Sequence, residues 1–126
     1  MKILVSTAGE AAAQEIADYV IEIAQKLDAD LRALHILFPG ESEAEGLRAC
    51  EIFRELGEQN DVEVETMIAE GELVQTIIDC AEASNATLIL MGASQGQVVE
   101  KWVSSDVMKQ CTIPVLVVPH CYAIKA

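Results

Sequence analysis

The sequence predicts an α/β fold, a five-stranded parallel sheet in the order 3-2-1-4-5 with helices on both faces. Three observations carry that expectation. Short apolar runs alternate with longer stretches of helical periodicity along nearly the whole chain, the pattern of repeated βα units. The run Thr87 to Met91 is apolar on both faces, as a central parallel strand must be. The stretch Leu88 to Gly96, LILMGASQG, then passes from strand through a glycine turn toward a helix, where such sheets open a ligand crevice.

Lys2 to Ser6 is the first strand, and a helix over Glu10 to Leu27 follows, with Ile16, Val20, Ile23, Ala24 and Leu27 on one stripe. Asp28-Ala29-Asp30 ends it. Leu31 to Leu37 is the second strand, and Phe38-Pro39-Gly40 stops it, because proline lacks the ladder N–H. The second helix runs from Ser42 to Gln59. It carries Leu47, Cys50, Phe53 and Leu56 at threefold spacing, opens on the capping-box pattern Ser42-x-x-Glu45 and exits at Asn60-Asp61.

Val62 to Ile68 alternates Val62, Val64, Thr66 and Ile68 against Glu63, Glu65 and Met67, so one face is mostly acidic and suits an edge strand. The third helix, Glu72 to Ser84, buries Leu73, Val74, Ile77, Ile78 and Ala81. Gly92 then breaks the fourth strand. A last helix over Val98 to Cys111 places Val99, Val103, Val107 and Cys111 at fourfold spacing with Trp102 beside them, and Val115 to Val118 forms the final strand between Pro114 and Pro119.

Strict alternation implies right-handed crossovers, but two strand orders satisfy it, 3-2-1-4-5 and 2-1-3-4-5. The acidic face of the third strand favours placing that strand at an edge, hence the first order. Val115 to Val118 then forms the opposite edge, apolar and with unpaired backbone groups. A homodimer through this strand is expected, the alternative being an edge covered by the tail from Tyr122 to Ala126.

At 126 residues, 52% of them hydrophobic, the chain suits one domain over 1–126. The apolar start ends at Ser6, and no run approaches the roughly 20 residues of a bilayer span, so neither a signal peptide nor a membrane partner is expected and the expected compartment is the cytoplasm. A net charge of -13 repels phosphate backbones, which argues against nucleic acid. The acids are dispersed along helices, as at Glu10, Glu15, Asp18 and Glu22, which is a solvated face.

Cys50, Cys80, Cys111 and Cys121 contain no C-x-x-C pair and read as buried free thiols; His120-Cys121 alone is a weak metal site, and no metal is expected. His35 falls inside the second strand as a packed or partly exposed sheet residue. No Ser-His-acid or Cys-His set can be placed in one crevice, so no catalytic residue is assigned. A phosphoacceptor or flavin carrier would need carboxylates after the first strand or an aspartate ending the third, which instead reads Met67-Ile68-Ala69.

The opening KILVSTAGE, the strand LRALHIL, the segment Val64 to Met91 with its EGE turn, MGAS, and VSSDVMKQCTIPVLVVP together resemble the universal stress protein family over the full length. The resemblance implies a Rossmann-like sheet, as in adenine nucleotide alpha hydrolase-like folds, and dimerisation through the last strand. It also implies two branches of function. Some members bind ATP through an acidic residue after strand one and a motif after strand four, Gly-x-x-Gly, nine residues, then Gly-Ser or Gly-Thr; others lack the motif and bind no nucleotide.

This chain departs from the motif. Ala8 stands where the acidic residue belongs, Gln95 replaces the second glycine with Gly96 one position later, and Lys101-Trp102 falls where Gly-Ser or Gly-Thr is needed. The loop is also roughly four residues short of that spacing. The positions that would line a cofactor crevice are Thr7, Ala8, Gly9, Met91, Gly92, Ser94, Gly96 and Ser104, with Ser105 and Lys101 able to compensate in part. The expectation is a non-catalytic, dimeric stress-response module without cofactor, signalling through an unidentified protein partner. The alternative is a nucleotide-dependent switch that binds ATP with Mg, or AMP.

Overall fold

The computed structural model describes residues 1–93 and 102–119. Its elements are β1 (Lys2–Ser6), α1 (Glu10–Lys26), β2 (Asp30–Ile36), α2 (Glu43–Gln59), β3 (Val64–Ala69), α3 (Leu73–Ala83), β4 (Leu88–Gly92), α4 (Val103–Gln110) and β5 (Val115–Val118). All strands are parallel, in the order β3-β2-β1-β4-β5. The acidic strand is therefore an edge, as its side chains require. Arg32 of β2 spans that edge, donating to Glu65 at 2.5 Å and to the Ser84 hydroxyl beyond α3 at 2.9 Å.

The twofold period of the strands divides the core into two layers. Ile3, Val5, Leu31, Ala33 and Leu90 point toward α1 and α2, where Ile16, Val20, Ala24 and the fully buried Phe53 meet them. Leu4, Leu34, Ile36, Ile89 and Met91 point the other way, onto Ile77, Ile78 and Ala81 of α3 and Val107 of α4. Helices thus cover both faces.

Several boundaries and faces differ from those read in the sequence. Val62 lies before β3, because its N–H bonds the Gly57 carbonyl and closes the end of α2 instead of joining the ladder. Leu47 is exposed although Cys50 and Phe53 are buried. A three-residue repeat falls back about 60° per step, so Leu47 and Leu56 stand on opposite sides of α2. The buried stripe follows Gly46, Ala49, Cys50, Phe53 and Gly57 instead.

Leu27 is exposed because it caps α1 and has left the buried face, and Leu73 is exposed at the first position of α3. Cys111 is extended, just past the end of α4, so it is not a helical residue. The last helix begins at Val103, with Trp102 extended as its N-cap, and not at the expected Val98; Val98 and Val99 themselves lie outside the described residues, as do His120, Cys121 and the tail from Tyr122. Ser42 and Glu45 do form the capping box, Glu45 N–H donating to the Ser42 hydroxyl at 3.2 Å.

The central neighbours β1 and β4 send their following helices to opposite faces, α1 to one and α4 to the other. A crevice must open at their carboxyl ends. Ser6 pairs with Met91 at that point.

Candidate functional site

A cavity of about 460 Å³ occupies the crevice. Ser6, Thr7 and Ala8 enter it from the end of β1, and Met91, Gly92 and Ala93 from the end of β4. Ala11, Ala12, Glu15 and Ile16 of α1 form one wall; Leu73 and Ile77 of α3, with Val103, form another. Ile36 and Phe38 close the side toward β2, Val118 and Pro119 the side toward β5. Such a volume lies in the usual range for a small-molecule pocket, about 300–1,000 Å³.

Of the positions named from the sequence, Thr7, Ala8, Met91 and Gly92 line this cavity. Gly9 is the N-cap of α1, beside the cavity but outside its lining. Ser104 is buried in α4, like Ser105, and does not border the cavity; Val103 does. Ser94 and Gly96, with Gln95 and Lys101, lie outside the described residues. Trp102 is the N-cap of α4.

Thr7 is spent on structure. Its N–H donates to the Leu34 carbonyl at 3.0 Å, its hydroxyl donates to the Gly9 carbonyl at 3.0 Å and accepts the Gly9 N–H at 3.3 Å, and its own carbonyl lies 2.9 Å from His35 Nδ1. A carbonyl only accepts, so Nδ1 carries the proton. Ala8 offers a methyl group where a carboxylate or amide could have met a ligand hydroxyl, a loss of about 0.5–1.5 kcal/mol for one hydrogen bond. Among the described residues a Cβ on Gly92 would touch only Ile16 Cγ2, at 3.8 Å, an ordinary contact, so against them the missing side chain widens the cavity and relieves no clash.

The feature that sequence reading missed is the fixture behind Phe38. His35 is fully buried on the α2 side of β2, with Nδ1 on Thr7 and Nε2 2.8 Å from Glu41 Oε1. The same Glu41 oxygen accepts the Phe38 N–H at 2.9 Å, and the Glu41 N–H donates to the Phe38 carbonyl at 3.0 Å. The hydrogen bond with His35, then that from Phe38, holds the Glu41 carboxyl below its ordinary range. The His35 and Phe38 rings meet edge to face with centroids 5.8 Å apart. The signal was present in the order 3-2-1-4-5: β2 adjoins β1, so the loop after β2 must border the crevice.

The universal stress protein family model matches residues 1–119. The chain belongs to the universal stress protein family. Among individual relatives it is similar to Universal stress protein MJ0531 of Methanocaldococcus jannaschii, at 28% identity over 93% of this chain and 81% of that one. A universal stress protein solved in complex with cAMP superposes with a TM-score of 0.81 at 19% identity, covering 95% of this chain and 97% of that one. A universal stress protein from Archaeoglobus fulgidus superposes with a TM-score of 0.75 at 23% identity over 94% of this chain, which spans only 43% of the A. fulgidus chain. These structural likenesses establish the shared fold. No described helix is long and apolar enough to cross a membrane.

Proposed function

We propose that this universal stress protein is a non-catalytic binding and signalling module that works as a homodimer through β5, with an unidentified protein partner, and without ATP as its ligand. One observation carries the ligand part: among the described residues lining the crevice there is no lysine, arginine or histidine, while Glu15 adds a carboxylate. A polyphosphate placed there would meet no described cation to balance it, within a chain of net charge -13. Ala8 removes a polar partner from the other side.

The non-catalytic part rests on His35. It is the one histidine among the described residues, and its ring is buried with both nitrogens engaged, so it is not disposed to move a proton to or from a crevice ligand. No described cluster of histidine, cysteine and acidic side chains could hold a metal ion.

The relative solved with cAMP favours a second reading, a nucleotide-dependent switch using the same crevice. Calorimetric titration with Mg-ATP and with AMP, paired with native mass spectrometry, separates the two. The proposal expects no heat at millimolar nucleotide and a dimeric mass without co-purified nucleotide; micromolar binding of either nucleotide overturns it in favour of the switch.

A further inference from the structure

We infer that the crevice is a site for an uncharged, planar aromatic molecule that packs against Phe38. The inference rests on the reading above that the crevice does not take ATP, and it names what the crevice takes instead. Phe38 is 53% exposed and Leu73 39% exposed, and both border the same cavity. Isolated exposed apolar side chains are ordinary; two of them at the mouth of a cavity with apolar walls make a ligand surface.

The Phe38 ring is also held in place. Its N–H and its carbonyl are both closed by Glu41, and the buried His35 ring meets it edge to face. A preorganised ring loses little conformational freedom when a ligand packs on it, which is what makes such a residue an effective binding surface. Offset or edge contacts between rings add to the simple burial of apolar area.

The rest of the cavity fits the same chemistry. Ala8, Ala11, Ala12, Ile16, Ile36 and Ile77 contribute apolar side chains to its lining. Polar side chains among the described lining residues are Ser6, Thr7 and Glu15, and Thr7 is committed to its own loop. The α1 N-terminus, which elsewhere would favour an anion, has Glu10 in its first turn. An anionic ligand is therefore disfavoured and an uncharged one is not.

Two fluorescent probes with the same ring body test this: N-phenyl-1-naphthylamine, which is uncharged, and 1-anilinonaphthalene-8-sulfonate, which carries a sulfonate. Titrated into the full chain, the uncharged probe is expected to bind at least about tenfold more tightly than the sulfonate, and Phe38→Ala to weaken it by about tenfold. Phe38→Trp should restore binding to within roughly threefold, whereas Phe38→Leu, which keeps an apolar side chain without a ring, should not. Circular dichroism checks that each variant keeps the native fold, as an exposed position should allow.

Failure of the uncharged probe to bind, equal binding of both probes, or indifference to Phe38→Ala overturns the inference. Mg-ATP is added in a separate arm. No binding of either the probe or ATP sinks the aromatic site alone and leaves the non-nucleotide reading standing; displacement of a bound probe by submillimolar ATP sinks the non-nucleotide reading and, with it, this inference.

Discussion

His35 Nε2 lies 2.8 Å from Glu41 Oε1, and that single carboxylate oxygen also accepts the Phe38 N–H. Through Nδ1 the same imidazole holds the Thr7 carbonyl at the end of β1. One buried ring thus joins the floor of the crevice to its rim. His35→Ala leaves the Thr7 carbonyl without its donor and opens a cavity under α2, so it should cost about 2–4 kcal/mol of stability in equilibrium urea unfolding. A change below about half a kcal/mol would mean that the ring is not a structural tie.

The Glu41 carboxyl makes part of the stability pH-dependent. Its folded value is held below its unfolded one, first by the hydrogen bond with His35 and then by that from Phe38. A group of this sign contributes in full above its unfolded value and loses the contribution as pH falls through its folded value. Stability should therefore decline in the acid range below the ordinary glutamate value. Glu41→Gln should flatten that part of the profile, measured by urea midpoints from neutral pH down to the acid limb; an unchanged acid slope would contradict the assignment.

Gly57 sits where α2 ends against β3. A Cβ there would lie 2.6 Å from Val64 Cγ2 and 2.7 Å from the Val62 carbonyl oxygen. The second neighbour is backbone, and its segment is tied to the same turn by the Val62 N–H to Gly57 carbonyl bond of 2.9 Å. Helix propensity would favour alanine by about 1 kcal/mol, but overpacking of about 1–3 kcal/mol should dominate. Thermal unfolding of Gly57→Ala is expected to show a lower midpoint, and a raised midpoint would refute this.

Cys50 should be chemically silent. It is fully buried under β2, where burial pushes its thiol up to about 11. Thiolate is the reactive form, so little is available at neutral pH. Peptide mass spectrometry after brief iodoacetamide treatment of the native protein should find Cys50 unmodified and, among the described cysteines, the half-buried Cys111 labelled first; rapid labelling of Cys50 would show that α2 opens readily.

The proposed homodimer through β5 is tested by a substitution that separates assembly from folding. The Pro114 carbonyl accepts the Ile89 N–H, and the Val118 carbonyl accepts the Ala93 N–H, so these residues direct their backbone groups toward β4. By alternation Val115 and Val117 direct theirs toward the outer edge. Val117→Pro should remove an outward N–H without breaking the ladder to β4. Light scattering is expected to report a monomer with native circular dichroism, and a persistent dimer would place the contact elsewhere.

The sheet order was readable in advance because it follows from charge. A central strand of this sheet is covered by helices on both faces and would bury the Glu65 carboxylate, so β3 goes to an edge. The α2 face is less legible, because threefold spacing fits neither helix side and the buried stripe runs through Gly46 and Gly57, which carry no apolar side chain to mark it. The crevice is legible at Thr7 and Ala8, which directly follow β1, and at Met91 and Gly92, the last two residues of β4. Phe38 shows in the sequence only as part of the turn Phe38-Pro39-Gly40.

The sequence by itself determined the βα alternation, the 3-2-1-4-5 order, the family and the loss of the ATP motif at Ala8, Gln95, Lys101 and Trp102. These depend on residue type and near-neighbour spacing, which a linear chain displays. Only the tertiary structure decided what the crevice wall is made of, that Thr7 is spent internally, and that His35 and Glu41 brace Phe38. Those relations join β1, β2 and the turn after β2 through side-chain directions that exist only once strand register is set, and a one-residue shift of β2 would turn His35 to the opposite face.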